Sequence, residues 1–514
     1  MLRYSHIQHF ILKNKYLLVI IFLALLTRLF FIGSSLWHND AVDFVKSGIN
    51  LATTGEYLPA HAPDYPAWNV MLAGGQFIDK LLTGEFHPVS TSNLITAFLG
   101  ILTIILFFFW VKNLSGKNQK IALISSFLLI FLPTFWLFNE FALSETLAVF
   151  SVILALFLFD KFLKNGYYHI IILTGLSLAL AGLTRITNLL FIGFLPVFAW
   201  IYYNRTQQKI DLKKVLIIII FIVLLPLLIN GVAYGLIHDW QFERLTQISR
   251  RVTPSISDLF NTAKNYWLYT LPIFLLFSIY GFIVIVFKKQ WYLFSILVLP
   301  IVSFFYYYAG WWQNGYFDID RYLIIIQPFV IILTALGIYY FLNWLKSLKP
   351  NTSKILFYFF VFVTVGHLIF ISLNLFDFKL CETLKDKNFF GWFFPSTYCQ
   401  INNNHNSEDF KMKLYQSIDR ILPDDAVIFV GPDDWAYPQF FGNQYGLGQK
   451  KYYKLKPDNT ESFNLITEIL KTNSPVYLPH TVPALKLFEL LEQSNWTLEV
   501  LQPSTKIMIL KISL

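Results

Sequence analysis

Charge is what this sequence has least of. Only 14% of its 514 residues are Asp, Glu, Lys or Arg, where a soluble globular chain carries about 25%. That shortfall excludes a soluble enzyme, a disordered chain and a nucleic-acid binder, each of which needs a charged, solvated surface. Cysteine is scarce as well, with Cys381 and Cys399 alone, which excludes a disulfide scaffold. There is no Walker-type phosphate loop, no dinucleotide fingerprint and no nucleophile elbow, so the chemistries that depend on those motifs have no foothold.

What the chain has instead is apolar length. Hydrophobic residues make up 56% and aromatics 18%, gathered into runs such as Tyr16–Ile32, Leu94–Trp110, Leu123–Phe138, Val215–Ile229 and Ile355–Leu373. Several reach the roughly 17–25 residues needed to cross a hydrocarbon core. The expected architecture is an α-helical polytopic membrane protein with about eleven spans, near 16–33, 92–111, 121–138, 145–163, 169–184, 187–203, 214–233, 266–287, 291–309, 322–345 and 355–375. The first run is long and has no small-residue cleavage site, so it reads as a retained anchor.

Basic residues orient the spans. Residues 1–375 hold 26 Lys+Arg against 15 Asp+Glu, and residues 376–514 hold 14 against 16. With the N-terminus inside, the short cytoplasmic segments carry 17 Lys+Arg and the outer ones eight. Basic residues hold short loops in the cytoplasm, so the N-terminus is expected inside and residues 376–514 outside. Trp110, Trp136, Trp200, Trp267 and Trp344 fall near span ends, as in an aromatic belt. Of the 15 carboxylates before residue 376, all but Asp160 and Asp211 fall at the outer side, which puts polar chemistry at that face.

Composition changes after residue 375. Short β-like runs at Ala426–Val430, Pro475–Leu478, Thr497–Leu501 and Lys506–Ile512 alternate with helical patterns at Lys411–Ile421, Ser462–Lys471 and Val482–Glu492. That order suggests a small extracytoplasmic α/β domain over 376–514, beside a transmembrane domain over 1–375. Cys381 and Cys399 lie in the segment leading into it, where an oxidising compartment would allow them to pair.

The first outer loop, 34–91, opens Trp37-His38-Asn39-Asp40-Ala41-Val42-Asp43. It continues through a helical stretch, Phe44–Thr53, to Ala62-Pro63-Asp64-Tyr65-Pro66-Ala67-Trp68. An aspartate just past the first span, a short helix and a Pro-Tyr-Pro turn resemble the first outer loop of the GT-C superfamily of membrane glycosyltransferases. The likeness is greatest to lipid A aminoarabinose transferase and the protein O-mannosyltransferases. Asn139-Glu140 through Glu145-Thr146, the Gly-rich span Gly175–Gly182 ending at Arg185, and Asp320-Arg321-Tyr322 resemble later motifs of that superfamily. Many relatives carry two adjacent acids after the first span, whereas Ala41 follows Asp40 here. The division of roles between Asp40 and Asp43 therefore stays open.

The resemblance implies an inverting glycosyltransferase that moves a hexosyl or pentosyl group. The donor would be a polyprenyl-phosphate sugar of dolichyl or undecaprenyl type, and the acceptor a lipid, glycan or protein at the outer face. A carboxylate takes the acceptor's proton, and arginines hold the leaving lipid phosphate. The candidate catalytic residues are Asp40, Asp43 and Glu145. The candidate phosphate binders are Arg28, Arg185, Arg250, Arg251 and Arg321, and Glu140 and Tyr65 belong to the acceptor side or its loops.

Each has a plainer reading. Asp40 suits the N-cap of a helix starting near Ala41, and Glu145 suits a helix dipole. Arg28 can snorkel to the interface, Arg321 can pair with Asp318 or Asp320, and Arg250-Arg251 can face headgroups. His38 and His61 with Asp40 and Asp64 match no compact ligand spacing, so neither a metal nor another cofactor is expected. The alternatives are a secondary transporter, which would need ionisable residues near mid-span, and a non-catalytic membrane scaffold.

The orientation is directly testable. Reporter fusions after Lys120, Lys214 and Lys289 should read cytoplasmic, and fusions after Gly84, Gly315 and Ser407 external. A cytoplasmic reading after Ser407 overturns the orientation.

Overall fold

The computed structural model describes residues 2–30, 32, 36, 39–58, 65–207, 212–237, 253–269, 272–309, 322–348, 351–352, 354–355, 358, 422–423, 426–430, 451–454, 459–471, 476–479, 497–504 and 507–513. Contacts divide the chain into two compact units, Met1–Gly33 with Ser47–Asn402, and Ser34–Lys46 with Asn403–Leu514. Cys381, Cys399 and most of the last expected span, 355–375, lie outside the described residues.

The first unit is helical. Its elements are α1 (Leu2–Leu29), α2 (Asn39–Thr54, shared at its start with the second unit), α3 (Pro66–Thr83), α4 (Pro88–Leu114), α5 (Gln119–Ile130), α6 (Pro133–Phe138), α7 (Glu145–Asn165) and α8 (Tyr168–Thr184). They continue as α9 (Leu190–Thr206), α10 (Leu212–Ile237), α11 (Ile256–Tyr269), α12 (Pro272–Phe287), α13 (Trp291–Ala309) and α14 (Ile324–Ser347). Six described helices are long and apolar enough to cross a membrane: α4, α7, Ile186–Thr206 (the short 3-10 turn with α9), α10, α13 and α14. The protein is an integral membrane protein. Helix α14 is 83% buried over its most apolar window, whereas α10 is 22% buried, so α14 runs through the bundle and α10 along its rim.

Prolines set the breaks that periodicity alone does not show. The run expected as one span over 121–138 is two helices, α5 and α6, parted at Phe131-Leu132. Pro133 donates no backbone bond and disfavours helical geometry at Leu132. Over the stretch expected at 266–287 the described elements are α11, through Tyr269, and α12, which begins at Pro272. In α10 the turn Ile219–Leu224 is a π-helix; widening it there accommodates Pro226, whose ring would otherwise meet the Ile222 carbonyl.

The first loop is more ordered than its sequence suggests. The helix expected from Phe44 begins at Asn39, so Asp40 sits inside the first turn rather than at the cap. A further helix, α3, starts with Pro66 as its first residue and ends at Gly84, which adopts φ +85. Proline opens a helix without losing a bond, and glycine closes one in the left-handed region. Trp68, Leu72 and Gln76 form the buried stripe of α3.

Small residues let the bundle close. A Cβ on Gly281 of α12 would lie 2.0 Å from the Leu333 carbonyl oxygen, and one on Gly337 of α14 would lie 2.0 Å from that of Phe277. The two backbones therefore touch where only glycine fits, the contact that membrane helices favour in place of a hydrophobic driving force.

The second unit holds a five-stranded sheet in the order β2-β1-β3-β5-β4. Its strands are β1 (Val427–Val430), β2 (Lys451–Lys454), β3 (Val476–Pro479), β4 (Thr497–Ser504) and β5 (Ile507–Ser513), with α15 (Asn459–Leu470) between β2 and β3. Strand β1 pairs parallel with β2 and β3, while β5 pairs antiparallel with β3 and β4. Val427, Phe429, Val476, Leu478 and Ile512 bury one face against Ile466 and Leu470 of α15. Four strands coincide with the expected runs to within a few residues. Strand β2, Lys-Tyr-Tyr-Lys, was not expected, and Tyr453 stacks there on Phe429 at 5.3 Å. The expected helices at 411–421 and 482–492 lie outside the described residues.

The glycine crossing generates a stability prediction. Gly337→Val should cost about 1–3 kcal/mol through overpacking and lower the melting temperature of the detergent-solubilised protein. At Gly193 no atom lies within 4 Å of an added Cβ, so Gly193→Ala should leave melting unchanged or raise it slightly. Wild-type melting in Gly337→Val would contradict the crossing.

Candidate functional site

Polar groups gather at one end of the helical unit, where α7 begins and α1, α6 and α8 end. The organiser is segment 130–146. Pro133 interrupts the span and leaves Ile130 with a carbonyl no longer used by a continuing helix. Arg28, one residue from the end of α1, donates from Nη1 to that carbonyl oxygen at 2.9 Å and to Thr27 Oγ1 at 2.9 Å. Its guanidinium packs over the rings of Phe135 and Trp136 at 5.6 and 5.5 Å. Arg28 is fully buried, which excludes snorkelling. Nε and Nη2 on the other edge of the guanidinium have no hydrogen-bond partner among the described residues. Buried donors are rarely left unmet.

The segment is tied to its neighbours at several points. Trp68 Nε1 of α3 donates to the Ala142 carbonyl at 3.3 Å, and Thr146 Oγ1 donates to that of Phe138 at 2.8 Å. Glu140 lies within it. Desolvation pushes its carboxyl up to about 8, opposed by the nearby Arg28 guanidinium.

Glu145 and Arg185 form the second buried pair. Glu145 is the first residue of α7 and Arg185 directly follows α8. Arg185 Nη2 donates to Glu145 Oε1, with Glu145 0% and Arg185 7% exposed. The Arg185 guanidinium also lies 4.7 Å from the Tyr322 ring centroid and 5.6 Å from that of Tyr65. Tyr322 stacks in turn on Tyr308 at 5.5 Å, whose hydroxyl is 3.0 Å from Thr187 Oγ1. Residues from α7, the α3 entry and the α14 entry thus surround the Arg185 guanidinium, with Tyr308 of α13 stacked behind Tyr322. Cation–π contacts of this kind strengthen when they are desolvated.

Asp40 and Asp43 are three residues apart on α2, both partly exposed between the buried Ala41, Val42, Phe44 and Val45. Lys46 extends the same stripe, its amine held below the ordinary lysine range by burial, which the Asp43 carboxylate opposes. One helix face therefore carries both acids.

Of the expected site residues, the structure brings Arg28 and Glu140 together in one neighbourhood and Tyr65, Glu145 and Arg185 in another. Arg250, Arg251 and Arg321 lie outside the described residues, as do His38, His61 and Asp64. Among the described residues no group of three or more His, Cys, Asp or Glu is placed to hold a metal. Tyr322 and Trp136 contribute to the site but were not singled out for it. The aromatic-belt reading suits Trp200 and Trp344, 60% and 48% exposed, but not Trp110 and Trp136, which are buried.

Residues 15–243 match the family model for dolichyl-phosphate-mannose-protein mannosyltransferase. Comparison with curated protein sequences gives no significant match. Among solved structures, ArnT from Cupriavidus metallidurans bound to undecaprenyl phosphate is similar, with a TM-score of 0.61 and 10% identity, over 97% of this chain and 98% of that one. The oligosaccharyltransferase AglB from Archaeoglobus fulgidus, in complex with an inhibitory peptide and a dolichol-phosphate, has a TM-score of 0.54 and 12% identity, over 90% and 69%. At such identities the shared feature is the fold. Over residues 15–243 the chain is thus similar to the protein mannosyltransferase family, and its fold is similar to that of these GT-C-type membrane glycosyltransferases.

Proposed function

We propose that the chain transfers a sugar, with inversion, from a polyprenyl-phosphate donor to an acceptor at the outer face of the membrane. The observation that carries this reading is Arg28. A fully buried guanidinium whose Nε and Nη2 have no hydrogen-bond partner among the described residues presents two adjacent donors, the geometry that binds phosphate oxygens bidentately. It stands at the membrane-surface end of an apolar bundle, where a lipid-borne phosphate can arrive without leaving the bilayer. The lipid phosphates named with ArnT and AglB support the same donor class.

In this reading Arg28 receives the lipid phosphate and stabilises the charge that grows as the glycosidic bond breaks. Arg185 is a second cation for the donor, aimed by its bond to Glu145 and by Tyr65 and Tyr322. Glu145 is then a positioning residue, because its carboxylate already serves a guanidinium. The acceptor's proton passes to Asp40, with Asp43 on the same helix face as the neighbouring carboxylate. Arg250, Arg251 and Arg321 are further candidates for the donor. Attack and departure occur in a single displacement, so the anomeric configuration inverts.

The test separates chemistry from binding. Asp40→Asn should lower kcat by about 10²–10⁴-fold, the usual worth of a general base. As a first-turn helix residue alone, Asp40 would be worth only about 0.3–1 kcal/mol of dipole interaction, and turnover would stay near normal. Arg28→Gln should instead raise KM for a dolichyl- or undecaprenyl-phosphate sugar about 10–100-fold in proteoliposomes, from the loss of a charge-assisted bond worth roughly 1.5–3 kcal/mol. Unchanged KM in Arg28→Gln and unchanged kcat in Asp40→Asn would together sink the assignment.

A further inference from the structure

A cavity of about 430 Å³ opens at the other end of the helical unit, between the last turns of α4, α7 and α9 and the start of α13. Lys164, which lines it, lies nineteen residues along α7 from Glu145. At 1.5 Å per residue that is about 28 Å, close to the thickness of a hydrocarbon core. The cavity is therefore separate from the Arg28–Arg185 region.

Its chemistry is cationic and pre-arranged. Asp160, 1% exposed, accepts from Asn113 Nδ2 at 2.7 Å, Lys164 Nζ at 2.8 Å and the Tyr292 hydroxyl at 3.3 Å. Lys164 Nζ also donates to the Asn113 carbonyl at 2.7 Å, which leaves its third N–H. Asp160 and Lys164 balance each other, so the charge left over on the wall is that of Arg205. Arg205 lines the cavity with no hydrogen bond or ion pair among the described residues. Gln290 and Tyr202 line it too, and Leu114 and Leu293 add an apolar wall.

The geometry points to a binding site for a phosphate ester, supplied by the headgroup of an anionic phospholipid. Arg205 would hold the phosphate by its fork of donors, with Lys164 as the second cation. A membrane source fits the surroundings. Trp291 and Trp344, 52% and 48% exposed, flank the same end, as residues at a lipid interface do. Positive loops alone would attract anionic lipid diffusely; the buried Asp160, which fixes the more exposed Lys164 beside a concave opening, is what makes a defined site.

Native mass spectrometry of the purified full-length chain in detergent, titrated with phosphatidylglycerol and with phosphatidylcholine, tests this. Phosphatidylglycerol should bind preferentially, and Arg205→Ala should weaken it about 10–100-fold, the loss of one charge-assisted phosphate contact. Lys120→Ala removes the same charge from that end without lining the cavity and should change binding little. An equal fall in both variants, with matching size-exclusion profiles, reduces the effect to surface charge and overturns the site. Competition by sn-glycerol 3-phosphate at the affinity of the lipid would overturn the lipid source and leave a soluble phosphate ester as the ligand. Indifference of phosphatidylglycerol binding to Arg205→Ala overturns the proposal outright.

Discussion

Burying charge in an apolar bundle is costly, and that cost organises this molecule. Moving an ion out of water carries an effective penalty of several kcal/mol even after relaxation. Arg28, Glu145 and Arg185 are nonetheless all less than a tenth exposed. Removing one partner of a buried pair typically costs about 3–5 kcal/mol, so Glu145 and Arg185 must meet, and the elements that bear them must meet with them. The start of α7 is thereby held against the end of α8, and both against the aromatic rings of Tyr65 and Tyr322. Arg28 is under the same constraint. It is satisfied on one edge by a carbonyl that the α5–α6 break makes available, and on its flank by two aromatic faces.

The remaining helices give that end its rigidity. Lipid supplies no hydrophobic drive for helices to associate, so contact area has to come from close approach. Gly281 and Gly337 bring α12 against α14, and α14 continues through a 3-10 turn, Ile324–Ile326, to the ring of Tyr322. Gln327 at the base of that turn donates to Thr134 beside the Pro133 break. A tight crossing in the apolar core thus bears on where an aromatic face sits against Arg185. Substitutions far from the polar residues can reach them by this route.

The apolar runs were legible because bilayer thickness leaves little choice of length, and α4, α7 and α13 start and stop close to where hydropathy places them. The strands of the second unit were legible for a similar reason, as short β-branched runs between polar segments. The misses share a cause, since each depends on a partner far away in the chain. Nothing local distinguishes Trp136 against a buried guanidinium from a tryptophan facing lipid. Helix α3 was hidden by Gly74-Gly75 in its middle, where a Cβ on Gly75 would meet the Cδ1 end of the Ile95 side chain of α4 at 2.2 Å. Lys-Tyr-Tyr-Lys looks like surface until Phe429 provides a ring for Tyr453. Arg28 and Arg185 could be suspected from their rarity inside apolar sequence, but the choice of Glu145 as partner is a tertiary fact.

Helix α7 shows how the two ends are kept apart. It carries an acid, Glu145, at its first residue and a base, Lys164, in its last turn, each complementing the helix dipole where it stands. Between them the helix is almost wholly buried and apolar. Asp160 and Lys161 near its end are the charged exceptions, and Asp160 is a buried acid near the negative end of that dipole. It is tolerated because Lys164, Asn113 and Tyr292 surround it. A charge that the helix disfavours must therefore be held by its neighbours, and those neighbours come from α4 and α13. Asp160 consequently fastens three helix ends together about 22 Å from Glu145 along α7. The polar end and the basic end can each be stabilised by local partners, with no polar connection needed through the apolar core. A single apolar span between two such anchors keeps their chemistries independent while fixing the distance between them.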